Sequence, residues 1–305
     1  MIVAGFVLAA PTAASADFRH APSVTVSGTV ATATTYSLSQ LQEPPLPALT
    51  TFTVTRSSWW GRSRTNTDQG ASVETLVNTA GPTLLSVKNA QLRVTIAVSN
   101  AFGQSVTFAW GELDSSFGDH PAYLALYQGG HPLSAPELVV PGDTNDARTL
   151  DDVNRITVAV QNPTATTSTV TGALTIEEGS HTRLLTPTEL ASLPQRTLDV
   201  TFEAGTATQQ HVEVGPTLQA VLRAAHIRTD LNTWVAAVGS DGYVATVTPA
   251  EAWVGARPLL ISLSEDGTSQ DTPRLVTDGD VKGGRYVSGV VDLVVGQSQN
   301  PFWGW

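Results

Sequence analysis

The sequence predicts an α+β fold made of two tandem copies of one mixed, strand-rich domain, and three observations carry that expectation. First, Gly118–Val158 lies over Gly255–Val295 without a gap, at a constant offset of 137 residues. Second, a composition that is 41% hydrophobic and only 14% charged, broken often by Gly and Pro, favours many short strands and turns over helical bundles. Third, each half carries helix-start signals that a pure sandwich of strands would lack.

In chain order, Met1 to Ala16 is an apolar stretch closing on Ala14-Ser15-Ala16, the small-residue pattern that signal peptidases cut. A signal peptide over 1–16, without its basic n-region, is expected, and with it a secreted or extracytoplasmic protein. The first repeat is expected over 22–161. In it Ser37-Leu38-Ser39-Gln40 fits a capping box, and the short helix it starts ends near Pro44-Pro45. Thr51-Phe52-Thr53-Val54-Thr55 alternates as a strand does. The polar residues around Arg62, Arg64 and Asp68 read as a loop, and Gly70 to Val77 opens a short helix whose apolar stripe reaches Ala80. A polar linker follows over 162–168.

The second repeat, 169–297, restates that order. Thr186-Pro187-Thr188-Glu189 is a capping box with proline where its missing N–H does no harm. Leu198 to Phe202 alternates, and Gly215 to Leu222 matches Gly70 to Val77 at an offset of 145, on to Ala225. Asp241-Gly242-Tyr243 fits a tight turn whose glycine takes a positive φ. Within the gap-free segment Pro121 meets Pro258, Gly142-Asp143 meets Gly279-Asp280, and Arg148 meets Arg285. An aromatic tail, 298–305, closes the chain.

Composition also removes function classes. A net charge of −11 with no local Lys/Arg cluster argues against nucleic acid as a partner. Beyond that N-terminal segment, no later stretch approaches the ~18 apolar residues of a membrane span. The absence of cysteine excludes disulfides, thiol catalysis and iron–sulfur ligation. The six histidines lack the close spacing of a zinc site, and no nucleophile elbow, phosphate loop or dinucleotide fingerprint is present. No catalytic residue and no metal ligand is therefore assigned.

The second repeat runs from its capping box through Asp199-Val200-Thr201-Phe202, Gly215-Pro216-Thr217-Leu218, Ser240-Asp241-Gly242-Tyr243 and Pro249-Ala250-Glu251. It ends with Pro273-Arg274-Leu275-Val276 and Gly283-Gly284-Arg285-Tyr286-Val287. In this order and spacing it resembles the molybdopterin-binding domain of the sulfite-oxidase family, over Thr171–Gly296 and more faintly over Val26–Val160. The resemblance implies a mixed α+β domain with twisted sheets, and a molybdenum-ligating cysteine at the end of the strand ending at Phe202. Here that strand runs into Glu203-Ala204-Gly205, and its counterpart into Arg56-Ser57-Ser58. The resemblance further implies that Arg274 and Arg285 would hold the phosphate of the pterin. Ser288 stands where a family lysine is expected, and in the first repeat Glu137 and Asp151 put carboxylates at the matching places.

The expectation for function is an exported, non-catalytic ligand-binding or scaffold module with no cofactor, its partner a small molecule or a protein. Trp59, Trp60, Arg62 and Glu203 are the candidate ligand-binding residues. An intramolecular pseudo-dimer of the repeats is expected by analogy with symmetric oligomers. Two rivals stand beside this reading. One is a molybdopterin-dependent oxidoreductase using Arg274 and Arg285; the other is a strand-rich surface interaction module.

Overall fold

A computed structural model describes residues 22–43, 48–57, 63–166 and 170–298. The signal segment, Trp59, Trp60 and Arg62, the 167–168 end of the linker and the tail from 299 onward lie outside the described residues. The first half contains β1 (Ser23–Gly28), β2 (Thr34–Ser37), α1 (Leu38–Gln42), β3 (Leu49–Ser57), β4 (Ser63–Ser72) and α2 (Val73–Ala80). After a 3-10 turn at Ala90–Arg93 come β5 (Val94–Asn100), β6 (Ser105–Ala109), α3 (Trp110–Leu113), β7 (Tyr123–Gln128) and β8 (His131–Val139). A second such turn, Asp146–Arg148, leads to β9 (Val153–Val160).

The second half follows the same succession: β10 (Leu174–Glu178), β11 (His181–Leu185), α4 (Pro187–Ser192), β12 (Gln195–Ala204), β13 (Ala207–Pro216), α5 (Leu218–Ala224), β14 (Thr233–Gly239) and β15 (Val244–Val247). Then come α6 (Ala250–Trp253), β16 (Leu259–Glu265), β17 (Thr268–Thr277), a 3-10 turn at Gly283–Arg285, and β18 (Val290–Gln297). Each half builds one five-stranded and one four-stranded sheet. The orders are β2-β1-β9-β5-β6 with β3-β4-β7-β8, and β11-β10-β18-β14-β15 with β12-β13-β16-β17. In both five-stranded sheets the first and last strands of the half run parallel, β1 beside β9 and β10 beside β18.

Local chemistry explains the recurring elements. Both capping boxes form: the hydroxyls of Ser37 and Thr186 accept from the amides of Gln40 and Glu189, whose side chains reach back to the cap. Helices α2 and α5 begin later than Gly70 and Gly215 predict, at Ser72 and Thr217 caps, because those glycines belong to strands. There the neighbouring strand passes so close that a Cβ on Gly70 would lie 2.1 Å from the Leu124 carbonyl oxygen, and one on Gly215 2.0 Å from that of Ile261. The loop expected around Arg64 and Asp68 is strand β4 instead. Asp68 is fully buried because Arg56, across the hairpin, donates to it at 2.7 Å. Gly242 takes the expected positive φ, 82°.

The halves meet through β5–β6 and β14–β15. Strands β5 and β14 are buried along nearly their whole length, as strands covered on both faces must be. The contacts are reciprocal. The Thr107 N–H donates to the Leu231 carbonyl at 2.8 Å, and the Thr246 hydroxyl donates to the Leu92 carbonyl at 2.8 Å. Leu92 packs in the core of the second half, while Leu231 packs against the core of the first. Among the described residues no helix is long and apolar enough to cross a membrane.

Candidate functional site

Beneath the junction lies a pair of matching charge networks. In the first half Arg148 donates through Nε and Nη2 to Asp143 (2.8 and 2.5 Å) and through Nη1 to Glu112 at 2.5 Å. In the second, Arg285 donates to Asp280 (2.8 and 2.5 Å) and to Glu251 at 2.6 Å. Both arginines are fully buried. Burial opposes their charge, but the fork of carboxylates around each raises its pKa further above the ordinary arginine value. The fourth member differs: His120 Nε2 lies 3.0 Å from Asp143, whereas Arg257 donates to Asp280 at 3.0 Å. Burial, working against the charge of Arg148 and aided by the nearby charge of Glu251, pushes the Glu112 carboxyl up to about 7.

These networks stitch the halves together. Arg257 donates to the Gly118 carbonyl at 2.5 Å, the Val281 N–H to the Phe117 carbonyl at 2.6 Å, and the Thr144 N–H to the Val254 carbonyl at 2.9 Å. The last two are counterparts, since Phe117 and Thr144 lie 137 residues before Val254 and Val281.

At the turn that precedes Arg285 a cleft of about 520 Å³ opens between the halves. One wall is the far end of β12: Phe202, Glu203, Ala204 and the Gly205 turn. The Glu203 N–H donates to the Val281 carbonyl at 2.8 Å, fastening this strand end to the turn that carries Lys282, Gly283 and Gly284. Those two glycines form a floor on which side chains rest. A Cβ on Gly283 would lie 2.6 Å from the Phe202 ring, and one on Gly284 2.2 Å from the ring of Phe117. The opposite wall comes from the first half, with Lys88, Asn89, Gln91 and Phe117. Asn89 holds a left-handed φ of 52°, and its amide donates to the Tyr243 hydroxyl at 2.9 Å. That hydroxyl donates in turn to the Gly284 carbonyl at 2.6 Å.

The residues singled out from the sequence fall in different places. Glu203 is in the cleft, and Arg285, next in the chain after the lining residue Gly284, does not line it and has all three guanidinium nitrogens engaged by Asp280 and Glu251. Arg274 sits on β17, where Nη1 faces both Glu213 (3.1 Å) and Glu265, and Nε donates to Ser288 at 3.2 Å. It shares no partner with Arg285. In the first half Glu137 and Asp151 do come together, lining a shallow acidic hollow of about 240 Å³. Arg56 binds Glu137 through two bonds of 2.9 Å. The four-stranded sheets thus exchange charge: the arginine stands on β3 in one half and on β17 in the other, each beside a buried carboxylate, Asp68 or Glu213. Sequence reading missed Lys88, Lys282 and Phe117. The signal that could have found the first two is their rarity, for they are the chain's only lysines.

No protein-family model matches the chain, and no curated protein does. Among solved structures it is weakly similar to the sulfane dehydrogenase SoxCD from Paracoccus pantotrophus, with 14% sequence identity and a TM-score of 0.34. The match covers 84% of this chain and spans 61% of the length of that one.

Proposed function

We propose that the chain is an exported, non-catalytic ligand-binding module, built from two tandem copies (22–161 and 169–297, joined by the linker 162–168) of a molybdopterin-binding-type domain. The copies pair as an intramolecular pseudo-dimer, and the cleft between them is the ligand site. Tandem duplication is supported by the gap-free match at offset 137, by the shared order of elements, and by contacts in which each half plays the same part toward the other.

The single observation behind the loss of cofactor chemistry is the state of Arg285. A pterin phosphate needs charge-assisted donors, and this guanidinium is fully buried with every nitrogen spent on carboxylates. Arg274 faces two more carboxylates. At the strand end, the hard oxygens of Glu203 stand where the resemblance implies a soft thiolate. This set of residues does not fit the molybdenum cofactor. The test is molybdenum by plasma mass spectrometry, with released-pterin fluorescence, on protein exported from a host that makes the cofactor. Background levels are expected; near-stoichiometric molybdenum would restore the oxidoreductase reading.

A further inference from the structure

Resting on the reading of this cleft as a ligand site, we infer that it takes a small organic oxyanion of the carboxylate or sulfonate class. The charged group lies between Lys88 and Lys282, and the apolar body rests against Phe117 and Phe202. The chain's only two lysines come from opposite halves and line the same cleft. Among the described residues neither ammonium has an ion-pair partner, while Arg56, Arg148, Arg274 and Arg285 are each consumed by carboxylates.

The division of labour is physical. A guanidinium is a planar fork suited to fixed bidentate pairs, whereas an ammonium on a flexible stem is a compact charge that adapts to differently shaped anions. The segments next to both lysines are tied down, by the Asn89 side-chain amide on the Tyr243 hydroxyl and by the Glu203 N–H on the Val281 carbonyl, while the lysine side chains remain exposed. In a chain of net charge −11 an anion is repelled at a distance, so a local pair of free cations is what would draw one in. Glu203 offsets one of the two charges, which favours a monoanion over a polyanion.

Isothermal titration calorimetry at low ionic strength tests this with benzenesulfonate, its neutral isostere benzenesulfonamide, and benzylammonium. The wild-type chain is expected to bind the sulfonate in preference to the other two. Affinity should fall about tenfold in the Lys88→Gln/Lys282→Gln double variant and stay unchanged in Arg155→Gln, an exposed cation elsewhere. The thermal midpoint of the double variant should match the wild type, because both side chains are exposed and, among the described residues, have no ion-pair partner. Failure of the sulfonate to bind, equal binding of the three probes, or an unchanged affinity in the double variant would overturn the assignment. None of these bears on whether the chain is a non-catalytic module; molybdenum in the same preparation would overturn that reading instead.

Discussion

Arg148 and Arg285 hold matching places in the two halves and do the same work, yet the surfaces above them differ. Each closes a buried trio with an aspartate five residues before it and a glutamate further upstream. What recurs in both halves is scaffold, since the fold needs it twice. What occurs once marks specialisation. Beside Arg285 in the chain, Lys282 and Gly284 line the cleft together with Phe117, whose ring abuts Gly284; the matching residues of the other pair of edges are Asn145, Ala147 and Val254. The glycine admits the phenylalanine, and together they shape the cleft wall.

The largest expected effect breaks the scaffold. Removing one member of a buried ion pair strands the others, at a cost of about 3–5 kcal/mol. Arg148→Met should sit at the upper end and Arg285→Met at the lower, because Asp280 would keep Arg257 at 3.0 Å while Asp143 would keep only His120. Urea unfolding of both variants measures the difference, and a neutral result at either position would refute the structural role assigned to these arginines.

A smaller effect addresses the specialised side. Gly284→Ala would thrust a Cβ to 2.2 Å from Phe117 and should cost about 1–3 kcal/mol. Combining it with Phe117→Val recreates the residue pair of the other half, so the two changes should be markedly less harmful together than their sum. A double-mutant cycle reads that coupling directly.

A third test separates the networks by pH. Burial raises Glu112 from an ordinary 4.5 to about 7, so the folded protein binds this proton more tightly than the unfolded chain. The stability it contributes is present below 4.5 and is lost as pH rises through 7. Asp143 has the opposite sign. Although burial opposes it, Arg148 and His120 hold its pKa below 3.8, and its contribution is lost as pH falls under that value. Glu112→Gln is expected to flatten the decline between 4.5 and 7 in a series of unfolding curves, leaving the acid limb in place.

How far all this was legible in the sequence depends on the span of the contacts. The capping boxes and the Gly242 turn are local, and they formed as read. The aligned segment paired Asp143 with Asp280 and Arg148 with Arg285 correctly by place. Their glutamate partners lie 36 and 34 residues upstream, outside the gap-free match, so nothing in the pattern revealed that Arg285 was already engaged. A loop read from the polarity of Arg64 and Asp68 was a strand for a related reason: the polar side chain that faces inward meets Arg56 across the hairpin. The cleft was least legible, because its walls meet across contacts such as Asn89 to Tyr243, 154 residues apart.

Lys88 and Lys282, the chain's only lysines and without an ion-pair partner among the described residues, make the proposed ligand cleft directly testable. Reductive dimethylation with a carbon label keeps the charge and gives each lysine its own nuclear magnetic resonance signal, with the α-amine as internal reference. On titration with benzenesulfonate both lysine signals should move together along one saturation curve while the reference stays still. Signals that stay fixed, or move independently of one another, would contradict the claim that Lys88 and Lys282 share one ligand.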